Sequence, residues 1–489
     1  MSAAALYILA LCAALAQPSP DAAPRADAPQ SRRERDRTIT RAFDEHRYEH
    51  ALQLLRERAA ENPRDPATSY NLACALAMTG RRDEAAQALL SAISWGFTDL
   101  FHMDRDPHLE PIRDHPDYRA VILGWGPLLD ARGAAELDTA RQVLGPAYTT
   151  HVDQPRRINF LSAVAPSSFE AAVRETELVS RFAAALGMPQ ETDADRPDAW
   201  ALVLLPTPAD FLRFVEQPGV GGYYDRDRRR LVTQDTGPSL RHEFFHVLHW
   251  RHMERLGQRH PLWIMEGLAS LLEDGDPHED TFLPAPSWRT NIVKRLETAR
   301  RLPKWRQLFA LERQAFMGTQ SRAHYAHARA IFLYLHQQRA LAAWYRAYTD
   351  NFPEDESGIL AITRALGRPA DQCEADFRAW LRTLPTVAET GKPSGAGLGV
   401  ALDPGSGDGP VVTSFQTSAA RAGGAGLRLR DVILSVQDRR TATLDDLHRV
   451  LGEHAPGDSV TVRVRRGRLE LDVPVRLVDP EDRGQGWNP

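Results

Sequence analysis

His242-Glu243-Phe244-Phe245-His246 sets two imidazoles and a carboxylate inside little more than one helical turn, and its reading decides what must be built around it. Residues four apart on a helix project from one face with an axial rise of about 6 Å, so both imidazoles can reach one tetrahedral ion. Glu243 stands beside them, able to face a water on that ion. Zinc lowers the pKa of such a water to about 7, so a carboxylate can remove its proton and direct it at a polarised carbonyl. The geometry holds only if these five residues are helical, and the flanks say that they are. Arg229 to Thr233 reads as a short strand after the turn-like Tyr224-Asp225-Arg226-Asp227, and Thr236-Gly237-Pro238-Ser239 reads as a helix start. From Leu240 the apolar residues keep helical spacing, and Gly257 is the expected stop of a helix of about 17 residues.

A third ligand is needed, and His249, His252 and Glu266 are the candidates. His252 would complete the spacing HExxHxxGxxH, but His249 stands where that pattern has its turning glycine. If the helix continues, His252 lies about 9 Å beyond His246 along the axis and on another face. His249 is nearer the right face but most of a turn too far for a tetrahedral corner, and it stays as the alternative. Glu266 lies in Trp263-Ile264-Met265-Glu266-Gly267-Leu268-Ala269-Ser270, an apolar, helix-compatible run beyond Gly257 and Pro261. A second helix packed on the first would aim this carboxylate at the ion and leave one position open for water.

With HEFFH followed by WIMEGLAS, the chain resembles the gluzincins, the thermolysin-like zinc peptidases. The resemblance implies Zn2+ held by His242, His246 and Glu266, Glu243 as general base, and a peptide substrate laid along the preceding strand by strand addition. An oxyanion partner is also needed. Tyr325, opening a helical run downstream, resembles the tyrosine of several gluzincins and reads equally well as a packing residue. Tyr223 and Tyr224, next to Gly221-Gly222, are flap candidates, and Glu273 or Asp274 would orient a histidine from behind.

The 489 residues are too many for one core, and 43% hydrophobic content is that of a globular protein, so two to four domains are expected. A formal charge of −5 gives no reason to expect nucleic acid. Ala3 to Ala16 reads as a cleaved signal peptide (residues 1–16), and Leu11 before Cys12 argues against lipid attachment. No later stretch reaches the roughly 18 apolar residues of a transmembrane span. The expected location is periplasmic or secreted. Only Cys74 and Cys373 remain after cleavage, so the cores rather than disulfides carry stability. Residues 17–37, rich in Pro, Ala, Asp and Arg, read as a disordered tether.

Arg47 to Leu55 echoes Arg82 to Leu90 at an offset of 35 residues, close to the tetratricopeptide period, so residues 38–125 resemble such repeats. They are expected to pack on the next domain or to bind a partner. Between Ala147 and Pro206 the order is strand, helix, strand, then helix to about Leu384 after Glu266, an α+β zincin-like domain over 145–385 with a helical second half. A linker (386–395) leads to a β-rich segment (396–479) that resembles a PDZ domain of the bacterial protease-associated kind. There Gly397-Leu398-Gly399-Val400 would be the carboxylate-binding loop for a partner's C-terminus. Gly423 to Gly426 looks enlarged relative to that family, and Arg430 replaces a usual glycine. The fold class is thus multidomain: an α-helical repeat module, the α+β catalytic domain and the PDZ domain. The expected function is an exported zinc metallopeptidase acting on proteins or peptides; the alternative is a catalytically inactive envelope scaffold.

Overall fold

The computed structural model describes residues 29–189, 195–214, 221–278, 281–318, 320–387, 397–403, 409–415, 426–441, 447, 450, 451, 454 and 457–478. The expected signal peptide and most of the expected tether and linker lie outside these residues, as do Gly423 to Ala425. The chain forms two compact units, Met1–Thr383 and Leu384–Pro489.

The first helix is Pro29–Asp44, so helix begins inside the stretch expected to be a tether. Helices Tyr48–Glu61, Pro66–Met78 and Arg82–Ser94 follow as antiparallel pairs. Asp65 caps the second of them by accepting from the Thr68 N–H at 3.1 Å. Beyond them the chain breaks into short pieces (Leu100–Arg105, Pro107–Ile112, Pro116–Leu123), and Asp106 between the first two accepts from the Tyr70 hydroxyl at 2.8 Å.

A 20-residue helix, Trp125–Leu144, then crosses from this module to the next. Trp125, Leu128 and Leu129 share a core with the repeats, together with Ala199 from the α+β domain. Ala140 packs instead with Leu202, Leu204 and Val232 of the sheet. Gly133 makes the crossing possible: a Cβ there would stand 2.5 Å from the Trp200 ring. The repeats and the α+β domain are therefore joined by continuous packing, and one compact unit contains both.

The sheet of the α+β domain has five strands, β1 (Thr149–Asp153), β2 (Ile158–Ser162), β3 (Ala201–Leu205), β4 (Gly222–Asp225) and β5 (Arg230–Thr233), in the order β1-β2-β3-β5-β4. β2, β3 and β5 run parallel, and β1 and β4 flank them antiparallel. β3 and β2 are buried along their whole length, as a sheet covered on both faces requires. Here two expectations need correction. The strand before the motif, β5, lies inside the sheet, and the edge on that side is β4, because the chain from Tyr224 to Arg230 is a hairpin that folds β4 outside β5. The second half is not continuously helical: a hairpin of β6 (Gly275–His278) and β7 (Thr281–Pro284) interrupts it before seven helices, Trp288–Thr298 to Ala370–Thr383.

The second unit is an antiparallel sheet of β8 (Val400–Asp403), β9 (Val411–Phe415), β10 (Val432–Val436), β11 (Arg439–Arg440), β12 (Ser459–Arg466) and β13 (Leu469–Arg476) over a small aliphatic core. Arg430 has φ +69°, the left-handed conformation that explains why a glycine is usual there. The two cysteines among the described residues, Cys74 and Cys373, are buried and form no disulfide.

Candidate metal centre

The motif helix runs Pro238–Leu256. Its start is set by Pro238 at the first turn and by the Asp235 carboxylate, which accepts from the Gly237 and Ser239 N–H groups at 2.9 and 2.7 Å. Its end is Gly257 at φ +70°, reinforced by Arg105 of the repeat module, whose guanidinium donates to the Arg255 carbonyl at 2.9 Å and to that of Glu254. Buried Arg251 fastens the same helix to the sheet by donating to the Arg156, Arg157 and Ala199 carbonyls.

The second ligand helix is Leu262–Leu271. Trp263 anchors it, stacked between Phe309 (3.8 Å between centroids) and Phe332 (5.1 Å). Gly267 lets it approach the Ser321–Gln337 helix: a Cβ there would meet the Phe332 ring at 2.7 Å and the Ala328 backbone at 3.0 Å. Glu266 thereby reaches the histidines. His242 Nε2 and His246 Nε2 are 3.1 Å apart, and Glu266 Oε2 lies 3.4 and 3.5 Å from them. Among the described residues this is the one group of three whose donor atoms converge in this way. A tetrahedral zinc ion with ligand bonds of about 2.0–2.1 Å needs donors about 3.3–3.4 Å apart. The donor set, two imidazoles and a carboxylate, and its spacing both fit that ion.

The charges point the same way. Burial opposes a proton on His242, yet Glu266 and Glu273 outweigh it and hold the imidazole well above its ordinary pKa. Burial would raise Glu266, but His246 and His242 hold it well below the usual carboxylate range. One positive charge at this point, proton or metal, is what the surroundings favour. Glu243, half-buried on the same turn, is pushed up by burial, which makes its carboxylate a better proton acceptor.

Glu273 accepts at 2.8 Å from His242 Nδ1, so Nε2 is the free donor atom on the triad side. Sequence reading named Glu273 but missed what fixes it. Arg289 ion-pairs with it, and Arg241 donates to the Leu272 and Glu273 carbonyls at 2.6 and 3.0 Å. Fully buried Arg329 donates to the Ser270, Asp274 and Ala285 carbonyls. Arginines on three separate helices carry no local signal of this role, and only folding brings them together. Asp274 does not take part in orienting a histidine; its carboxylate faces Arg289 at 3.4 Å.

Other candidates fall as follows. His249 is not a ligand: its Nε2 bonds His260 Nδ1 at 2.8 Å, deep in an aromatic cluster with Tyr345. His252 Nδ1 bonds the Tyr345 hydroxyl at 2.9 Å, away from the triad. Tyr223 and Tyr224 form no flap, because alternate residues of β4 point to opposite faces: Tyr223 packs on the sheet core and the Tyr224 hydroxyl is buried. The Tyr325 hydroxyl donates to Met317 Sδ at 3.5 Å, and burial first, then the Glu266 carboxylate, hold its phenol well above its ordinary pKa. In the second unit the Gly397 N–H is not free for a ligand, since it donates to the Val478 carbonyl at 2.8 Å, and Val400 belongs to β8 (Val400–Asp403).

The PDZ domain model matches residues 396–477, and the tetratricopeptide repeat model matches 42–100. Both modules imply protein or peptide partners. No curated protein matches the chain. Among solved structures, an aminopeptidase N family protein from Idiomarina loihiensis is 14% identical, over 68% of this chain and 67% of that one, with a TM-score of 0.32. No helix among the described residues is long and apolar enough to cross a membrane.

Proposed function

We propose that the chain is a zinc-dependent metallopeptidase that hydrolyses peptide bonds in protein or peptide substrates. The observation that carries this reading is the convergence of His242, His246 and Glu266 at zinc spacing, with Glu243 on the same helical turn. The three residues would hold Zn2+, which when bound polarises a substrate carbonyl and lowers the pKa of a water to about 7. Glu243 removes the proton of the attacking water and delivers it to the leaving amine. The Tyr325 hydroxyl donates to the developing oxyanion. Glu273 fixes the tautomer and tilt of His242. Substrate backbone adds to the open edge of β4, which supports peptides over compact small molecules.

In the same reading residues 1–16 direct export to the periplasm or medium. The PDZ unit receives a C-terminus at Leu398 and Gly399.

The test is metal content together with cleavage of casein and a peptide library, wild type against Glu243→Gln. The expected result is equal zinc in both and a loss of cleavage by about 10²- to 10⁴-fold in the variant. Equal inertness of both zinc-loaded proteins leaves the second reading, a protein-binding scaffold, which the two interaction modules favour.

A further inference from the structure

The geometry points to a second binding site, a cleft between the helical repeats and the catalytic sheet that takes an acidic segment of polypeptide. The cleft measures about 860 Å³ and is walled by Tyr70 and Trp95 of the repeats, by the Trp125–Leu144 helix, and by Leu202 and Leu204 of β3. Leu202 and Leu204 pack with Ala140 of that helix, and none of His242, Glu243, His246 and Glu266 is among the lining residues. The cleft is therefore separate from the metal centre.

Its lining carries eight arginines and four acidic residues, in a chain whose formal charge is −5. Six of the eight guanidiniums are already paired: Arg229 with Glu254 at 2.7 Å, Arg226 and Arg259 with Asp99 at 3.5 Å, Arg213 with Asp210 at 3.2 Å, Arg228 with Asp225 at 3.9 Å, and Arg230 with Glu136. Arg132 is not. It is half-buried, pressed over Gly96 so closely that a Cβ there would stand 2.9 Å from Nη2, and it meets no carboxylate or carbonyl partner among the described residues. Arg64, exposed at the rim, has none either, and the buried Nε of Arg230 lacks an acceptor although Nη2 is paired. A half-buried guanidinium without a counter-charge is free to form a charge-assisted hydrogen bond with a carboxylate brought from outside.

Trp95, Phe97, Trp200 and Leu204 beside these cations suit a ligand that alternates charge with apolar groups, as a peptide does. The site holds a chain rather than cutting it: no pair of donors resembling the metal triad lines it.

The experiment uses the full-length, metal-free Glu243→Gln protein, so its outcome is independent of the metallopeptidase reading. Fluorescein-labelled hexaglutamate, hexalysine and a Gly-Ser hexamer are titrated by anisotropy. Hexaglutamate should bind at least about tenfold more tightly than the neutral peptide, with affinity falling as salt rises. Arg132→Glu and, separately, Arg64→Glu should each weaken it by about tenfold or more. Arg468→Glu, in the PDZ unit, should leave it unchanged. Arg64 is exposed, so its replacement tests the site even if Arg132→Glu fails to fold. No preference for the acidic peptide, wild-type binding by both cleft variants, or displacement by a short single-stranded oligonucleotide more readily than by unlabelled hexaglutamate would each overturn the proposal.

Discussion

His242 uses both ring nitrogens, Nε2 toward His246 and Glu266 and Nδ1 toward Glu273, so its orientation depends on residues 24 and 31 positions downstream. Glu273 is drawn down to about 2, because the His242 and Arg289 interactions overcome its burial, and it accepts as a full carboxylate at any ordinary pH. Glu273→Gln keeps an acceptor and removes the charge. Zinc affinity measured by chelator competition should fall about 10- to 100-fold, and an unchanged affinity would mean that packing alone orients the imidazole. His252 and His260 show the opposite perturbation. Burial, and for His260 the neighbouring His252, depress them to about 4 and about 3 from an ordinary 6.5. Folded molecules therefore stay neutral where unfolded ones take up protons, so stability present above pH 6.5 is lost as pH falls toward the folded values. Each histidine should contribute about 1.4 kcal/mol of loss per pH unit in that window. Urea unfolding of His252→Gln should lose stability less steeply with acid than wild type by that amount; equal slopes would show the ring to be solvated.

At the scale of elements, the two ligand helices were legible because their punctuation is local. Pro238, Gly257 and Pro261 bracket apolar runs of helical period, and the helices begin and end within one or two residues of those signals. The hairpin of β4 and β5 was not legible as such. Tyr223 and Tyr224 alternate faces like any strand residues, but nothing within four residues says which strand is the edge; the pairing of β5 with β3 decides that. Gly267 is a clearer case of a residue whose reason is tertiary. In sequence it is a mild helix weakness beside Glu266, and in the fold it is the contact point with Phe332 and Ala328. Gly267→Ala should cost about 1–3 kcal/mol in denaturant unfolding despite the better helix propensity of alanine. Zinc affinity should fall with it, since the shift displaces Glu266; a stabilised variant with intact affinity would show that the helices can separate freely.

The whole molecule consists of two units, and the repeat module belongs inside the first. Trp125, Leu128 and Leu129 share a core with Leu52, Tyr70 and Leu89, while Arg105 closes the C-terminal end of the motif helix. Removing residues 1–124 should therefore leave an unfolded or molten remainder with lost near-UV circular dichroism, whereas removing 388–489 should leave the fold and zinc content of the first unit intact. A well-folded catalytic fragment after the first deletion would show the repeats to be an independent attachment. The amino-acid sequence by itself determined the order of modules, the helices that carry His242, His246 and Glu266, and the type of ion their side chains suit, because helical period, breakers and ligand chemistry are all short-range. Only the tertiary structure decided that His249 turns to His260, that Glu273 holds His242, that β4 is the sheet edge, and that Arg132 lies uncompensated in a cleft. Each of these depends on which distant segment comes to lie beside a residue, and that choice is made by packing the whole core at once.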